Sequence, residues 1–211
     1  MEIALSAICG PEDILTPLSG SDESLRYELT GLRAQNYKIP IWQLGPYDLM
    51  RWVKYGKRPE HSNHQTALLT KQRLGSKIWD AYFSFTLERE PKEKLVSHYQ
   101  WLKMQGKCEN PQQYISLGYF EKIRAVNSYT DKNGNNLLDA VFATSKMEAA
   151  LNALSARFNI PQSDLKLPPQ KVKKSKAASQ TEQQQLLEYY QKHLKSKFAL
   201  DADLTRDDLH I

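Results

Sequence analysis

A chain of 211 residues with 40 % apolar and 25 % charged side chains is long enough for one good-sized core and lies within the compositional range of globular rather than disordered proteins. Lysine and arginine number 29 against 24 acidic residues, a net charge of +5 that suits anionic ligands without specifying one. No apolar run approaches the ~20 residues of a membrane-spanning helix, and Met1 to Ile8 carries Glu2 and no basic flank, unlike a signal sequence; a cytoplasmic protein with no membrane partner is expected. Cys9 and Cys108 stand far apart without a CxxC or Cys/His spacing, so neither a disulfide framework nor a metal site is indicated.

In chain order, Met1 to Ile8 reads as a short helix closed by Gly10 and Pro11. A turn-rich stretch follows, then a helix predicted over Asp22 to Leu32 with Ser21 as its cap. Leu49, Met50, Trp52 and Val53 recur at helical spacing within Tyr47 to Tyr55, an amphipathic helix expected to pack on a neighbour. The polar loop Gly56 to Gln65 holds His61 and His64 and leads into a helix from about Thr66 to Leu74. Ala81 to Leu87 (AYFSFTL) is aromatic and alternating, a strand pattern, and Pro91 then opens a helix on which Leu95, Tyr99 and Leu102 recur. Pro111 to Val126 reads as another helix, and Asn133-Gly134 as the tip of a turn. Leu137 to Ala143 is apolar enough for a buried strand, and Ser145 to Phe158 carries Met147, Leu151, Leu154 and Phe158 on one helical face. Leu165 to Gln185, with the run KVKKSK, reads as a basic linker or loop, and Leu186 to Phe198 as a final helix. Two strand-to-helix units among several helices predict an α/β fold with a parallel sheet, residues 1–211 forming one domain.

Chemistry-bearing residues concentrate in Tyr82 to Trp101, YFSFTLEREPKEKLVSHYQW. Arg89 follows the strand directly and Ser97 lies eight residues on, along the next helix. That spacing brings a guanidinium and a hydroxyl to the carboxyl edge of a parallel sheet, where α/β folds bind ligands. Arg89 can offer paired donors to a phosphate and Ser97 one more, with Lys92 and Lys94 extending towards solvent. In an arbitrary strand-turn-helix the commoner outcome is plainer, with the arginine paired to an acidic neighbour and the serine packed on its helix.

Taken together, Arg89-Glu90-Pro91, Lys94, Ser97 and Tyr99 resemble the Arg-Asp-Pro, Arg/Lys, Ser, Tyr series with which sulfotransferases hold the 3′-phosphate of 3′-phosphoadenylyl sulfate (PAPS). The resemblance is to bacterial members of the carbohydrate-type sulfotransferase family. It extends in order through EIALSAICGPEDILTPLS, YKIP, GKRPEHSNH, IWDAYFSF, LLDAVFATSKMEAALNAL and the closing FALDADL, nearly the whole chain at modest similarity. It implies a P-loop-like parallel sheet flanked by helices, and sulfuryl transfer from PAPS to a hydroxyl acceptor, a carbohydrate or small molecule, with adenosine 3′,5′-bisphosphate (PAP) as product. Arg89 and Ser97 would then bind the 3′-phosphate and Lys176, in the basic run, would assist them. His64 would deprotonate the acceptor, which an imidazole of unperturbed pKa near 6.5 can do.

The family's Lys-Thr-Ala/Gly-Gly-Thr-Ser loop and the strand before it have no counterpart ahead of Glu2. The resemblance therefore implies a domain lacking its first strand and its 5′-phosphosulfate-binding loop, impaired as written, since one distant lysine cannot replace a ring of backbone donors at a helix start. Glu90 replaces the family's Asp or Asn, and Ala143-Thr144-Ser145 stands where an arginine, an aromatic residue and a glutamate are usual. A non-catalytic descendant that binds a nucleotide, a glycan or a partner protein is the alternative. Nucleic acid is not expected, because no recognised module accompanies the lysine run.

Overall fold

The computed structural model describes residues 1–165, 167 and 178–204, apart from the side chains of residues 200, 203 and 204. In chain order its helices and strands are α1 (Glu2–Ser6), α2 (Gly20–Thr30), α3 (Pro46–Tyr55), α4 (Ala67–Leu74), α5 (Ser76–Trp79) and β1 (Phe85–Glu88). After β1 come α6 (Pro91–Met104), α7 (Pro111–Ser116), α8 (Val126–Tyr129), β2 (Ala140–Ala143), α9 (Met147–Phe158), α10 (Gln180–Tyr189) and α11 (Ala199–Leu204). The architecture is mixed α/β, mostly helical, with a small two-stranded parallel sheet among the described residues. The chain divides into two compact units, Met1–Phe83 with Glu148–Pro169, and Ser84–Met147 with Gln170–Ile211. No helix among the described residues is long and apolar enough to cross a membrane.

In the first unit α1 packs on α2, and an antiparallel bridge between Leu15 and Gln35 closes the turn-rich stretch. The helix predicted over Asp22 to Leu32 starts at Gly20 and ends at Thr30. Its cap position is Ser19, not Ser21, and Gly31 takes the left-handed conformation (φ 72°) that stops it. Arg26 on this helix is fully buried, held by an ion pair to Glu23 and a 3.0 Å bond to the Thr16 carbonyl. Glu23 also accepts from the amides of Leu18 and Ala34, so one carboxylate gathers both flanks of the helix. The amphipathic helix α3 does form, but the face expected to pack is open: Met50 is 57 % and Val53 88 % exposed, with Trp42 at 85 % just before the helix.

In the second unit β1 and β2 pair in parallel, from Phe85 opposite Ala140 to Glu88 opposite Ala143. Both strands are shorter than their sequence patterns. The ladder begins where the Asp139 carboxylate accepts from the Ser84 amide at 2.6 Å and the Ser84 hydroxyl at 2.8 Å, which fixes the register side chain to backbone. Helix α6 buries Leu95, Tyr99 and Leu102 against Tyr114, Phe120, Leu186, Tyr190, Leu194 and Phe198, the core of this unit. The helix predicted over Pro111 to Val126 is broken into three pieces. Gly118 sits at φ 62°, outside the right-handed helical region, so the chain turns there into a tight helix over Tyr119–Ile123 before α8 begins. The final predicted helix likewise starts earlier, at a capping box of Ser179 and Glu182, and widens into a π turn over Tyr190–Leu194.

Helix α10 docks on α6 through Glu182, whose Oε1 accepts from the Tyr99 hydroxyl at 2.6 Å and Lys103 Nζ at 2.5 Å. Those two donors, Lys103 first, hold the Glu182 carboxyl down at about 2 against an ordinary 4.5. A carboxyl that ionises more readily folded than unfolded adds stability that is whole above pH 4.5 and is lost as the pH falls towards 2. Glu182→Gln should therefore lower the melting temperature at neutral pH and flatten its acid dependence. Circular-dichroism melts between about pH 6 and about pH 3 read both effects.

Candidate functional site

The site is built around the last residue of β1. Glu88 ends the strand with its side chain 3 % exposed, where an ionised carboxylate is tolerated only with several donors around it. It has three. Lys94 Nζ lies 2.8 Å from each carboxylate oxygen, the Tyr129 hydroxyl donates at 2.6 Å, and the Arg89 amide donates at 2.8 Å. Lys94 reaches back because Pro91 starts α6 directly after the strand. The fourth residue of the helix then stands over its N-terminal turn, and helical side chains lean towards the N-terminus. Burial, and then the Glu88 charge, push the Tyr129 phenol above its ordinary pKa, so it remains a donor through the physiological range.

A second buried carboxylate completes the site. Asp201, 1 % exposed, accepts from the amides of Ala125 and Val126 and from the Arg124 guanidinium at 3.4 Å. A narrow crevice too tight to admit a water molecule lies between the two acidic groups, lined by Arg89, Pro91, Lys94, Phe198 and Asp201 among others. Two segments singled out by the sulfotransferase resemblance, Arg89-Glu90-Pro91 and Phe198 to Asp201, thus meet on one cleft.

Both carboxylates are answered by other groups, and this decides the state of Arg89. Its backbone amide is used by Glu88, while its side chain is exposed and its guanidinium makes no hydrogen bond or ion pair among the described residues. The pairing of Arg89 with an acidic neighbour, the plainer sequence reading, is not what forms. Ser97 stands one turn past Lys94 on the same flank of α6, half-buried, with no hydrogen bond from its hydroxyl among the described residues.

The other residues of the series take different places. Lys94 does not extend into solvent as expected but is spent on Glu88, and Lys92 pairs with Glu90 at 3.1 Å on the surface. Tyr99 is fully buried and donates to Glu182, a structural role on the opposite flank of α6. Lys176 lies outside the described residues. His64 sits in an exposed turn of the first unit, and its ring makes no hydrogen bond among the described residues. The buried histidine of that loop is His61, whose ring is held below its ordinary pKa by burial and by nearby Arg73, and whose amide donates to the Tyr37 carbonyl at 2.7 Å. Among the described residues no cluster of three or more His, Cys, Asp or Glu side chains could hold a metal ion.

Sequence reasoning did not find Glu88, Tyr129 or the Arg124–Asp201 pair. A carboxylate closing an apolar strand was the one available signal for Glu88; Tyr129 and Asp201 are distant in sequence and are recruited only by folding. Comparison with models of known families, with curated proteins and with solved structures finds no match to this chain.

Two classes of residue are separable by mutation. Glu88→Ala should cost about 3 kcal/mol, because it strands Lys94 in a half-buried position. Tyr129→Phe should cost about 1.5 kcal/mol, for one lost bond to a charged acceptor. Arg89→Ala should change stability by less than about 0.5 kcal/mol. Urea denaturation followed by fluorescence distinguishes the three.

Proposed function

We propose that this chain is a sulfotransferase-type protein that binds the 3′-phosphate of PAPS or of its product PAP. In this reading the Arg89 guanidinium gives paired donors to the phosphate, Ser97 donates one more, and Lys176 adds charge from outside the described residues. The parallel β1–β2 pair, with α6 following β1, is then part of a P-loop-like sheet. The observation that carries the reading is the state of Arg89: a cation directly after a parallel strand, beside two carboxylates that both accept from other donors, with no side-chain partner among the described residues. An exposed guanidinium in that position is suited to a dianionic ligand group.

For the transfer step, His64 is the proposed base. Its neutral imidazole would take the proton of an acceptor hydroxyl as that oxygen attacks sulfur and the bond from sulfur to the nucleotide phosphate breaks. The acceptor would be a carbohydrate or another small alcohol.

The test is isothermal titration with PAP, using adenosine 5′-monophosphate, which lacks the 3′-phosphate, as control. PAP should bind the unaltered chain and the control much more weakly. Arg89→Ala should weaken PAP ~10-fold to ~100-fold and Ser97→Ala by less than ~10-fold, the usual range for bonds to a charged group. An unchanged PAP affinity in Arg89→Ala removes the donor-site reading. Release of PAP with an alcohol acceptor, absent in His64→Ala, tests the transfer step separately.

A further inference from the structure

A wide opening in the second unit, about 720 Å³ and separate from the Arg89 crevice, is formed where the π turn Tyr190–Leu194 faces the start of α6. Its walls carry Glu90, Lys92, Tyr190, Lys192, Lys195 and Ser196. A π turn is uncommon and concentrates at functional sites, because the extra residue swings the following side chains away from the helical track. Here the bond from the Lys195 amide to the Tyr190 carbonyl, 2.9 Å, marks the widened turn, and Lys192, Lys195 and Ser196 come to line one opening.

Three independent features favour an anion in this cleft. The first is Tyr190, whose side chain is more than nine-tenths buried, yet whose hydroxyl finds no hydrogen-bond partner among the described residues. The ring packs in the core while the residue lines the cleft, so this hydroxyl is available to a ligand there. The second is the start of α6. Glu90 in the cap position makes no capping bond, Pro91 has no N–H, and the amides of Lys92 and Glu93 have no acceptor among the described residues. The positive end of a helix of 14 residues is thus left open at the cleft. The third is charge. Glu90 is answered by Lys92, whereas Lys192 and Lys195 make no ion pair among the described residues, which leaves two positive charges uncompensated.

We infer that this cleft binds a phosphate monoester of about sugar size. Two uncompensated lysines match a phosphate dianion, with the Tyr190 and Ser196 hydroxyls and the open α6 amides as neutral donors. The volume far exceeds a bare phosphate and falls in the range of small-molecule sites. The inference goes beyond the PAPS reading and does not depend on it, since it uses neither Arg89 nor Ser97.

Calorimetric titration with glucose 6-phosphate, inorganic phosphate and glucose, on the full chain and its variants, decides the matter. Glucose 6-phosphate should saturate, inorganic phosphate should bind more weakly, and glucose should not bind. Tyr190→Phe, which keeps the packing of the ring against Phe198, should weaken glucose 6-phosphate ~5-fold to ~10-fold. Lys192→Met with Lys195→Met should weaken it more than ~10-fold, with unchanged circular-dichroism melts confirming the fold. Arg89→Ala should leave it unaltered while reducing PAP binding, and the lysine pair should do the reverse. No saturation by glucose 6-phosphate below about 10 mM overturns the site. Equal affinity for inorganic phosphate overturns the sugar-sized ligand, and loss in Arg89→Ala assigns the binding to the other cleft.

Discussion

A buried carboxylate at the end of a parallel strand constrains everything around it. Glu88 is accommodated inside the second unit because Lys94, Tyr129 and its neighbour's amide converge on it. Removing the Lys94 charge would leave the carboxylate without its counter-ion, worth several kcal/mol, whereas losing the Tyr129 hydroxyl removes one neutral donor. The requirement fixes the phase of α6 relative to β1, since Lys94 must face the strand end. It also ties in α8, which supplies Tyr129. With that phase set, Ser97 follows on the same flank, and Leu95, Tyr99 and Leu102 turn into the core.

Helix α6 therefore has two polar commitments and one open end. On one flank it satisfies Glu88; on the other, Tyr99 and Lys103 satisfy Glu182 and dock α10. Its first amides have no acceptor among the described residues. The electrostatic result is an economy of cations: Lys94 and Lys103 are held by the fold, whereas Arg89, Lys192 and Lys195 are left to the solvent side of two separate clefts. Ligand chemistry falls to residues that the fold has not already used.

Several sequence patterns translated directly into structure, and the misses have local causes. The strand-to-helix step at Leu87 to Pro91 was legible because alternation ends at a charged turn and proline is suited to a first helical position. The long helix over Pro111 to Val126 was misread because its apolar spacing runs straight through Gly118, whose positive φ no periodicity reveals. The amphipathic stripe of α3 was correctly placed on a helix, but amphipathicity does not say whether the stripe will be covered, and Met50 and Val53 are open. Arg89 and Ser97 were singled out from spacing and resemblance. The same reasoning sent Lys94 to solvent because nothing local marked Glu88 as buried.

What the sequence determined by itself was local: the α/β alternation of elements, the start of α6, and the presence of a cation and a hydroxyl eight residues apart across a strand end. Those follow from backbone preferences and periodicity, which act over a few residues. Only the tertiary structure decided which charges are spent and which remain. Tyr129 is 41 residues from Glu88, and Asp201 is 77 from Arg124. Whether a carboxylate is buried, and hence whether it claims a neighbouring lysine, is set by groups that meet only when the chain has folded.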